Sequence, residues 1–194
     1  MPANEQIKEK DLLLAGVRVL KKGGADSLNA RTIANEAGCS TQPIYRLFKN
    51  MSLYERRLYE FVRDISVEYM QNEVKSGKYP PYKSFGMGYI RFAREQKALY
   101  SFLYMRNYEV MKSGEVKDET DEMTLKSVEL ISKNTGLSYE SAYKLHLEVW
   151  IFCHGIASMA ASSFIEWTEE DAEKMITDVY SALINKFKNK EGLS

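Results

Sequence analysis

The chain of 194 residues carries 27 Lys and Arg against 27 Asp and Glu, and 44% of it is aliphatic or aromatic, with four Pro and 11 Gly. Zero formal net charge excludes a polybasic binder held on its partner by global charge, and the composition excludes disorder and a fibrous repeat. No apolar run approaches the roughly 20 residues of a membrane-spanning helix, and two cysteines build neither a disulfide framework nor a four-thiolate zinc site.

In chain order, Leu13, Gly16/Val17 and Leu20 recur at helical spacing, and Gly23-Gly24 supplies a stop. Asn29 is a good N-cap for a short helix with Ala30, Ile33, Ala34 and Ala37 at i, i+3, i+4 and i+7, which Gly38 ends. Ser40 is placed to cap a third helix, whose apolar Ile44, Leu47 and Phe48 share a face. Pro43 falls in its first turn, where backbone N–H groups lack helical partners. Ser52 with Glu55 three residues on predicts a capping box for a long helix running to about Val74. Gly77 to Tyr82, holding Pro80-Pro81, is the clearest break. Further helices are expected near 82–96, 98–112, 118–135, 139–164 and 168–188, with Thr168 and Asp171 capping the last. No window sustains the alternation of a strand, so the expected fold is all-α, with about nine helices.

The balanced charge conceals a split. Residues 1–63 hold 11 Lys and Arg against seven Asp and Glu, and the remainder holds 16 against 20, a head of +4 on a body of −4. An anionic partner would meet the first third. There, Asn29–Phe48 has the anatomy of a helix-turn-helix: an eight-residue helix, a Gly38-centred turn and a second short helix, the one such units place in the major groove. Ile33, Ala34, Ala37, Ile44 and Phe48 are its inward positions, which leaves Thr41, Gln42, Tyr45 and Arg46 outward. Gln pairs bidentately with adenine, Arg with guanine, and Thr bonds a base or touches a thymine methyl. Tyr45 and Lys49 suit phosphate contacts that set register. The same residues also fit the solvated face of an ordinary three-helix cap, and on the residues alone both readings stand.

The order Ala37-Gly38-x-Ser40-x-x-x-Ile44-Tyr45-x-x-Phe48 is far more specific than a generic helix-turn-helix. With Leu12 to Val17, Gly23-Gly24 and Arg31-Thr32-Ile33-Ala34-Asn35-Glu36, it makes residues 12–58 resemble the DNA-binding head of the tetracycline-repressor (TetR) family of bacterial transcription regulators. Three positions depart from that pattern. Cys39 stands where the family usually has Val, Asn29 where it has Thr or Ser, and Met51 where a Lys commonly holds a phosphate at the start of the fourth helix. Lys49 is the candidate substitute for that Lys. The resemblance implies a DNA-binding domain over 1–51, with Asn29, Arg31, Ser40, Thr41, Gln42, Pro43, Tyr45, Arg46 and Lys49 at the nucleic acid. It implies a larger helical domain over 52–194 that binds a small molecule and forms the dimer. That body is itself similar, through Tyr89–Gln96 and Trp150-Ile151-Phe152-Cys153-His154-Gly155, to a TetR C-terminal class marked by Trp-x-x-x-His-Gly.

In the body, the final helix carries Ala172, Met175/Ile176, Val179/Tyr180, Leu183 and Phe187. Its predecessor carries Ala142, Tyr143, Val149/Trp150, Cys153, Ala157 and Ala160/Ala161. Two such helices from each of two chains would form a four-helix dimer interface; as intrachain core they would serve one chain. Aromatics crowd the middle, and Phe85, Tyr89, Phe92, Tyr104, Tyr108, Trp150 and His154 are the candidate ligand contacts, lining a partly apolar cavity with hydroxyl handles. His146 and His154 stand eight residues apart, about 80° out of register on a helix, so no metal and no cofactor are expected. A Gly-rich phosphate loop, His-Glu-x-x-His, a nucleophile elbow and Cys-x-x-Cys are all absent, which argues against an enzyme. The expectation is a cytoplasmic, membrane-free homodimer that binds a double-stranded operator. A small-molecule inducer would release it, the sense of a repressor. The alternative is a helical interaction or small-molecule-binding module without specific DNA binding.

Overall fold

The computed structural model describes residues 7–106 and 122–193. Among these, nine α-helices occur and no strand: α1 Glu9–Gly23, α2 Ala30–Ala37, α3 Gln42–Phe48, α4 Met51–Ser76, α5 Pro81–Glu95, α6 Lys97–Tyr104, α7 Glu122–Thr135, α8 Tyr139–Ala161 and α9 Glu169–Glu191. A 3₁₀ turn, Ala25–Ser27, links α1 to α2. The fold class is the all-α one expected. The expected helix ends beyond Arg106 and before Glu122 lie outside the described residues.

The helices divide between two compact units. One holds the chain through Glu68 together with Gln96–Arg106; the other holds Tyr69–Glu95 and the described chain from residue 122 onward. The division falls inside α4, which runs through it without a break.

The first unit is built on the apolar stripe of α1. Leu12, Leu20, Ile33, Ile44, Tyr54, Leu58, Leu99, Tyr100 and Phe102 are almost wholly buried. Gly24, at φ 69°, ends α1 by donating its N–H to the Leu20 carbonyl, a conformation that suits a residue without Cβ. α2 is held to α1 by Glu36, which takes Arg18 at 2.9 Å and Lys22 at 2.6 Å. Both cations are partly exposed, so the pairs fix register more than they stabilise. The Tyr54 phenol of α4 crosses α1 at Gly16 and donates to the Leu12 carbonyl at 2.8 Å. A Cβ on Gly16 would lie 2.1 Å from that hydroxyl oxygen.

Two capping expectations are corrected here. α4 starts at Met51, and Asn50 rather than Ser52 receives the Leu53 N–H at 2.9 Å. Ser52 is already inside the first turn, and Asn ranks at least as high as Ser at an N-cap. Ser40 does not cap α3: the N-cap position is Thr41, and no side chain bonds the first turn. Pro43 at the second position has no N–H, so one of the donors a cap would satisfy is missing. Leu47, which the spacing puts on one face with Ile44 and Phe48, is 39% exposed. Ile44 and Phe48 define the buried stripe of this two-turn helix, and Leu47 falls outside it.

The second unit packs α5, α7, α8 and α9 together. Phe92, Val128, Ile131, Leu145, Ala157 and Ala172 are among its most buried residues. α5 comes so close to the end of α4 that a Cβ on Gly88 would stand 2.7 Å from Met70 Cα. The cap of α9 is the one read from sequence: Thr168 Oγ1 accepts the Asp171 N–H at 3.0 Å, and Asp171 Oδ2 accepts the Thr168 N–H at 3.2 Å. α8 ends at Ala161, three residues sooner than expected. Ser163 turns left-handed at φ 57°, and the Phe164 N–H returns to the Met159 carbonyl, a helix-closing pattern.

Candidate nucleic-acid interface and ligand-binding body

The helix-turn-helix is fixed from its ends. Asn29 Oδ1 accepts the N–H groups of Arg31 and Thr32 at 3.0 Å each, and Thr32 Oγ1 returns to the Asn29 N–H at 3.2 Å. Thr32 also donates its hydroxyl to the Ser27 carbonyl at 2.7 Å, tying α2 to the preceding turn. At the other end Gly38 is left-handed at φ 68°, and the Cys39 N–H bonds the Ala34 carbonyl. Asn29, named as a nucleic-acid contact, therefore has its acceptor engaged within the protein. Its Nδ2 donates to the Ser27 carbonyl at 3.4 Å.

On α3 the buried and exposed positions separate cleanly. Ile44 and Phe48 face inward, whereas Gln42, Tyr45, Arg46 and Lys49 are exposed. Positions 42, 45 and 46 are i, i+3 and i+4, a single helix face, and Lys49 follows the end of the helix. Ser40 and Arg31 are exposed as well, and Thr41 and Pro43 are half-buried. Arg46 Nη2 donates to the Ile7 carbonyl at 3.4 Å, a long bond that leaves most of its donors open. Lys49 has φ 66° and ψ −44°, and the Asn50 N–H reaches back to the Phe48 carbonyl at 2.8 Å. This is a γ-turn of positive φ, a rare and strained form for a residue bearing Cβ. It sits between the candidate recognition helix and α4.

The candidate ligand contacts of the second unit are partly brought together. The Tyr89 hydroxyl lies 2.8 Å from His154 Nδ1, and Trp150 stacks on the same imidazole at 5.4 Å between ring centroids. Tyr89 is buried, His154 half-buried and Trp150 43% exposed. Burial holds His154 below the ordinary histidine range. Phe92 is fully buried, edge-on to Tyr69 at 5.5 Å, and Phe85 is half-buried on the same helix. Tyr104 belongs to the first unit, packed on Tyr100 at 5.0 Å, and burial raises its phenol to about 12. Tyr108 lies outside the described residues.

The other titratable groups are placed by burial. His146 meets the Tyr82 hydroxyl at 3.2 Å, and burial pushes it down to about 4. Burial raises the Cys153 thiol to about 12, which leaves it protonated and inert. Among the described residues no three His, Cys, Asp or Glu side chains gather as metal ligands, and no helix is long and apolar enough to cross a membrane.

Sequence reasoning overlooked the pair of Glu73 and Arg91, 2.7 Å apart, whose carboxylate is only 3% exposed. Glu73 ends a helix that reads as amphipathic and solvated, so nothing in the pattern marks it as buried. It overlooked Trp167 too, which precedes the α9 cap and lines a cleft with Glu73, Arg91 and Arg94. The signal was available: a large apolar residue just before an N-cap packs on the fourth helical position, here Ala172.

The comparison with protein families decides the assignment. Residues 82–183, just over half of the chain, match the model of the tetracyclin repressor-like C-terminal domain. The chain belongs to the TetR family of transcriptional regulators. The fold agrees. A TetR-like transcriptional regulator from Rhodococcus sp. RHA1 superposes with a TM-score of 0.64 at 16% identity, covering 89% of this chain and 92% of that one. A protein of unknown function from Rhodococcus sp. RHA1 gives 0.72 at 18% identity, over 96% of this chain and 98% of the other. A transcriptional regulator from the same source gives 0.60 at 15%, over 95% and 97%. At these identities the likeness is one of fold. No curated protein matches the chain in sequence.

Proposed function

We propose that the chain is a ligand-responsive repressor that binds a palindromic operator as a homodimer. Residues 1–51 read the DNA, and 52–194 hold the effector and the dimer contact. The observation that carries this is the α3 face. Gln42, Tyr45 and Arg46 are exposed together on a short helix that buries Ile44 and Phe48, and Lys49 is exposed just past its end. Gln42 and Arg46 read base edges, Thr41 bonds a base or a thymine methyl, and Tyr45, Lys49, Ser40 and Arg31 hold phosphates. Asn29 acts indirectly, by fixing the start of α2.

The dimer face is proposed on α8 and α9, with residues the chain leaves uncovered. Most of the α8 stripe named from sequence is intrachain core: Ala142, Val149, Cys153, Ala157, Ala160 and Ala161 are all buried. A second α8 stripe, Tyr143, Leu147, Ile151, Gly155 and Met159, is half-buried or exposed. On α9, Ala172, Ile176 and Phe187 are buried, while Met175 and Val179 stay half-exposed. A two-fold pair supplies the two recognition helices that a palindrome requires.

The effector acts on spacing. Two heads must stand about 34–36 Å apart to enter successive major grooves. α4 contributes to both compact units and α6 belongs with the head, so both are elements through which the body biases that distance. An effector releases DNA only by preferring the spread state, by about 1–3 kcal/mol for typical couplings. Selection from a pool of random duplexes tests the reading. Enrichment of an inverted repeat supports it, and a pool left without enrichment returns the chain to the alternative of an interaction module.

A further inference from the structure

The stripe of α8 that stays half-buried or exposed, Tyr143, Leu147, Ile151, Gly155 and Met159, takes every fourth residue. It is most open on either side of Gly155, where Ile151 is 57% and Met159 39% exposed, and just past the end of α8 Phe164 is 77% exposed. The stripe carries no charge. The acids that flank it are held within the chain, Glu140 by Lys144 at 2.5 Å and Glu148 by Lys186 at 2.9 Å.

Gly155 itself has no explanation among the described residues. Glycine inside a helix costs about 1 kcal/mol relative to Ala, and at three other helical glycines close packing accounts for it. A Cβ would stand 2.1 Å from the Tyr54 hydroxyl at Gly16, 3.2 Å from Cys153 Sγ at Gly86 and 2.7 Å from Met70 Cα at Gly88. At Gly155 a Cβ would meet no atom within 4 Å among the described residues beyond its chain neighbours and its own helix backbone. A missing Cβ at an open position, between two exposed apolar side chains, is what the close approach of a second backbone requires.

We propose that a second copy of this chain docks here with its α8 antiparallel to the first and the two-fold axis at Gly155. This rests on the dimer reading above and adds the register to it. In a two-fold contact each residue before the axis meets the residue equally far beyond it in the other copy. Gly155 then faces itself at the closest approach, and Ile151 meets Met159 of the partner subunit. Leu147 reaches the end of the other α8, where Phe164 stands uncovered. Lys144 and Glu166, both exposed, lie 11 residues to either side of Gly155, so opposite charges come together at both edges. The exposed pair with Glu140 leaves the Lys144 ammonium donors to spare. Ridges of every-fourth residues interlock at a crossing of about 50°, so contact concentrates around the glycine and thins toward the start of α8. The pattern is its own complement, in shape and in charge, which suits a second copy rather than a partner of other sequence.

Single cysteines placed in the full-length Cys39→Ser protein read this register, since Cys153 is buried. Under oxidation Gly155→Cys should join two copies, because Cα atoms at the axis come within the roughly 4.4–6.8 Å that a disulfide spans. Ile151→Cys and Met159→Cys should each lose that self-joining, their own mates lying about 12 Å away along the helix. Co-expressed and treated with a short bifunctional thiol reagent, Ile151→Cys and Met159→Cys chains should give the mixed species over either self-joined one. Should Gly155→Cys disturb the contact, the mixed sample carries the test. Sedimentation of the Cys39→Ser protein keeps the two readings apart. A monomer overturns the dimer reading and the register with it. A dimer that joins through Ile151→Cys or Met159→Cys alone, or that gives no preference for the mixed species, overturns the register and leaves the dimer standing.

Discussion

Lys49 carries two properties that a single substitution separates. Its backbone stands at φ 66°, where Gly is at ease and a residue with Cβ is strained, and its exposed ammonium is the proposed phosphate contact. Lys49→Gly should therefore raise the unfolding free energy by about 1 kcal/mol of relieved strain, and with it the thermal midpoint, while weakening DNA binding and lowering the salt slope by about one. Lys49→Ala should lose the DNA contact without that gain. A Gly variant no more stable than the Ala variant would refute the strain. His146 makes a second prediction at this scale. Its folded value of about 4 lies below the unfolded 6.5, so the unfolded chain binds the proton first as pH falls. The stability from keeping His146 neutral is complete above pH 6.5 and drains away toward pH 4. The unfolding free energy from urea titrations should drop by up to about 2 kcal/mol between pH 7 and pH 5, and His146→Gln should flatten that slope.

At the scale of the element, the crossing of α1 and α4 has the sharpest test. Ala is the better helix former, yet a Cβ at Gly16 meets the buried Tyr54 hydroxyl at 2.1 Å. Gly16→Ala should destabilise by about 1–3 kcal/mol, and adding Tyr54→Phe should restore part of the loss, because the obstructing oxygen is gone. A stabilised Gly16→Ala would show that α4 yields there. Elements are also where the sequence was most readable. The spacing of Ile33, Ala34, Ile44 and Phe48 placed α2 and α3, and Thr168 with Asp171 placed the start of α9. Ends were less legible where neighbouring residues compete for one role, as Asn50 and Ser52 do at α4. The left-handed Ser163 closes α8 with no Gly to announce it. The Arg94–Trp167 cleft was illegible for a different reason. Its members come from α4, α5, α8 and the start of α9 with the residues before it, and only tertiary packing brings them together.

At the scale of the whole molecule, the division into packed units does not follow the chain. α6 lies about 30 residues beyond the first stretch of the unit it joins, and no periodicity reports such a return. The dimer proposal is tested at Gly155, where a Cβ would meet no atom within 4 Å among the described residues beyond its chain neighbours and its own helix backbone. Gly155→Leu should leave the protomer folded, as judged by circular dichroism, and shift sedimentation from dimer to monomer. An unchanged dimer would move the interface off this stripe of α8.

The central claim is sequence-specific DNA reading by α3. Its most direct test is equilibrium binding of the full-length protein to a labelled duplex from upstream of its own gene, with excess unrelated competitor, at two salt concentrations. The account predicts binding that survives the competitor, weakens at the higher salt and loses about 1–3 kcal/mol of preference at one operator position in Gln42→Ala. Should that duplex fail, the duplex enriched from a random pool takes its place. Binding that the competitor abolishes for both duplexes, or that Gln42→Ala and Arg46→Ala leave untouched, would contradict it.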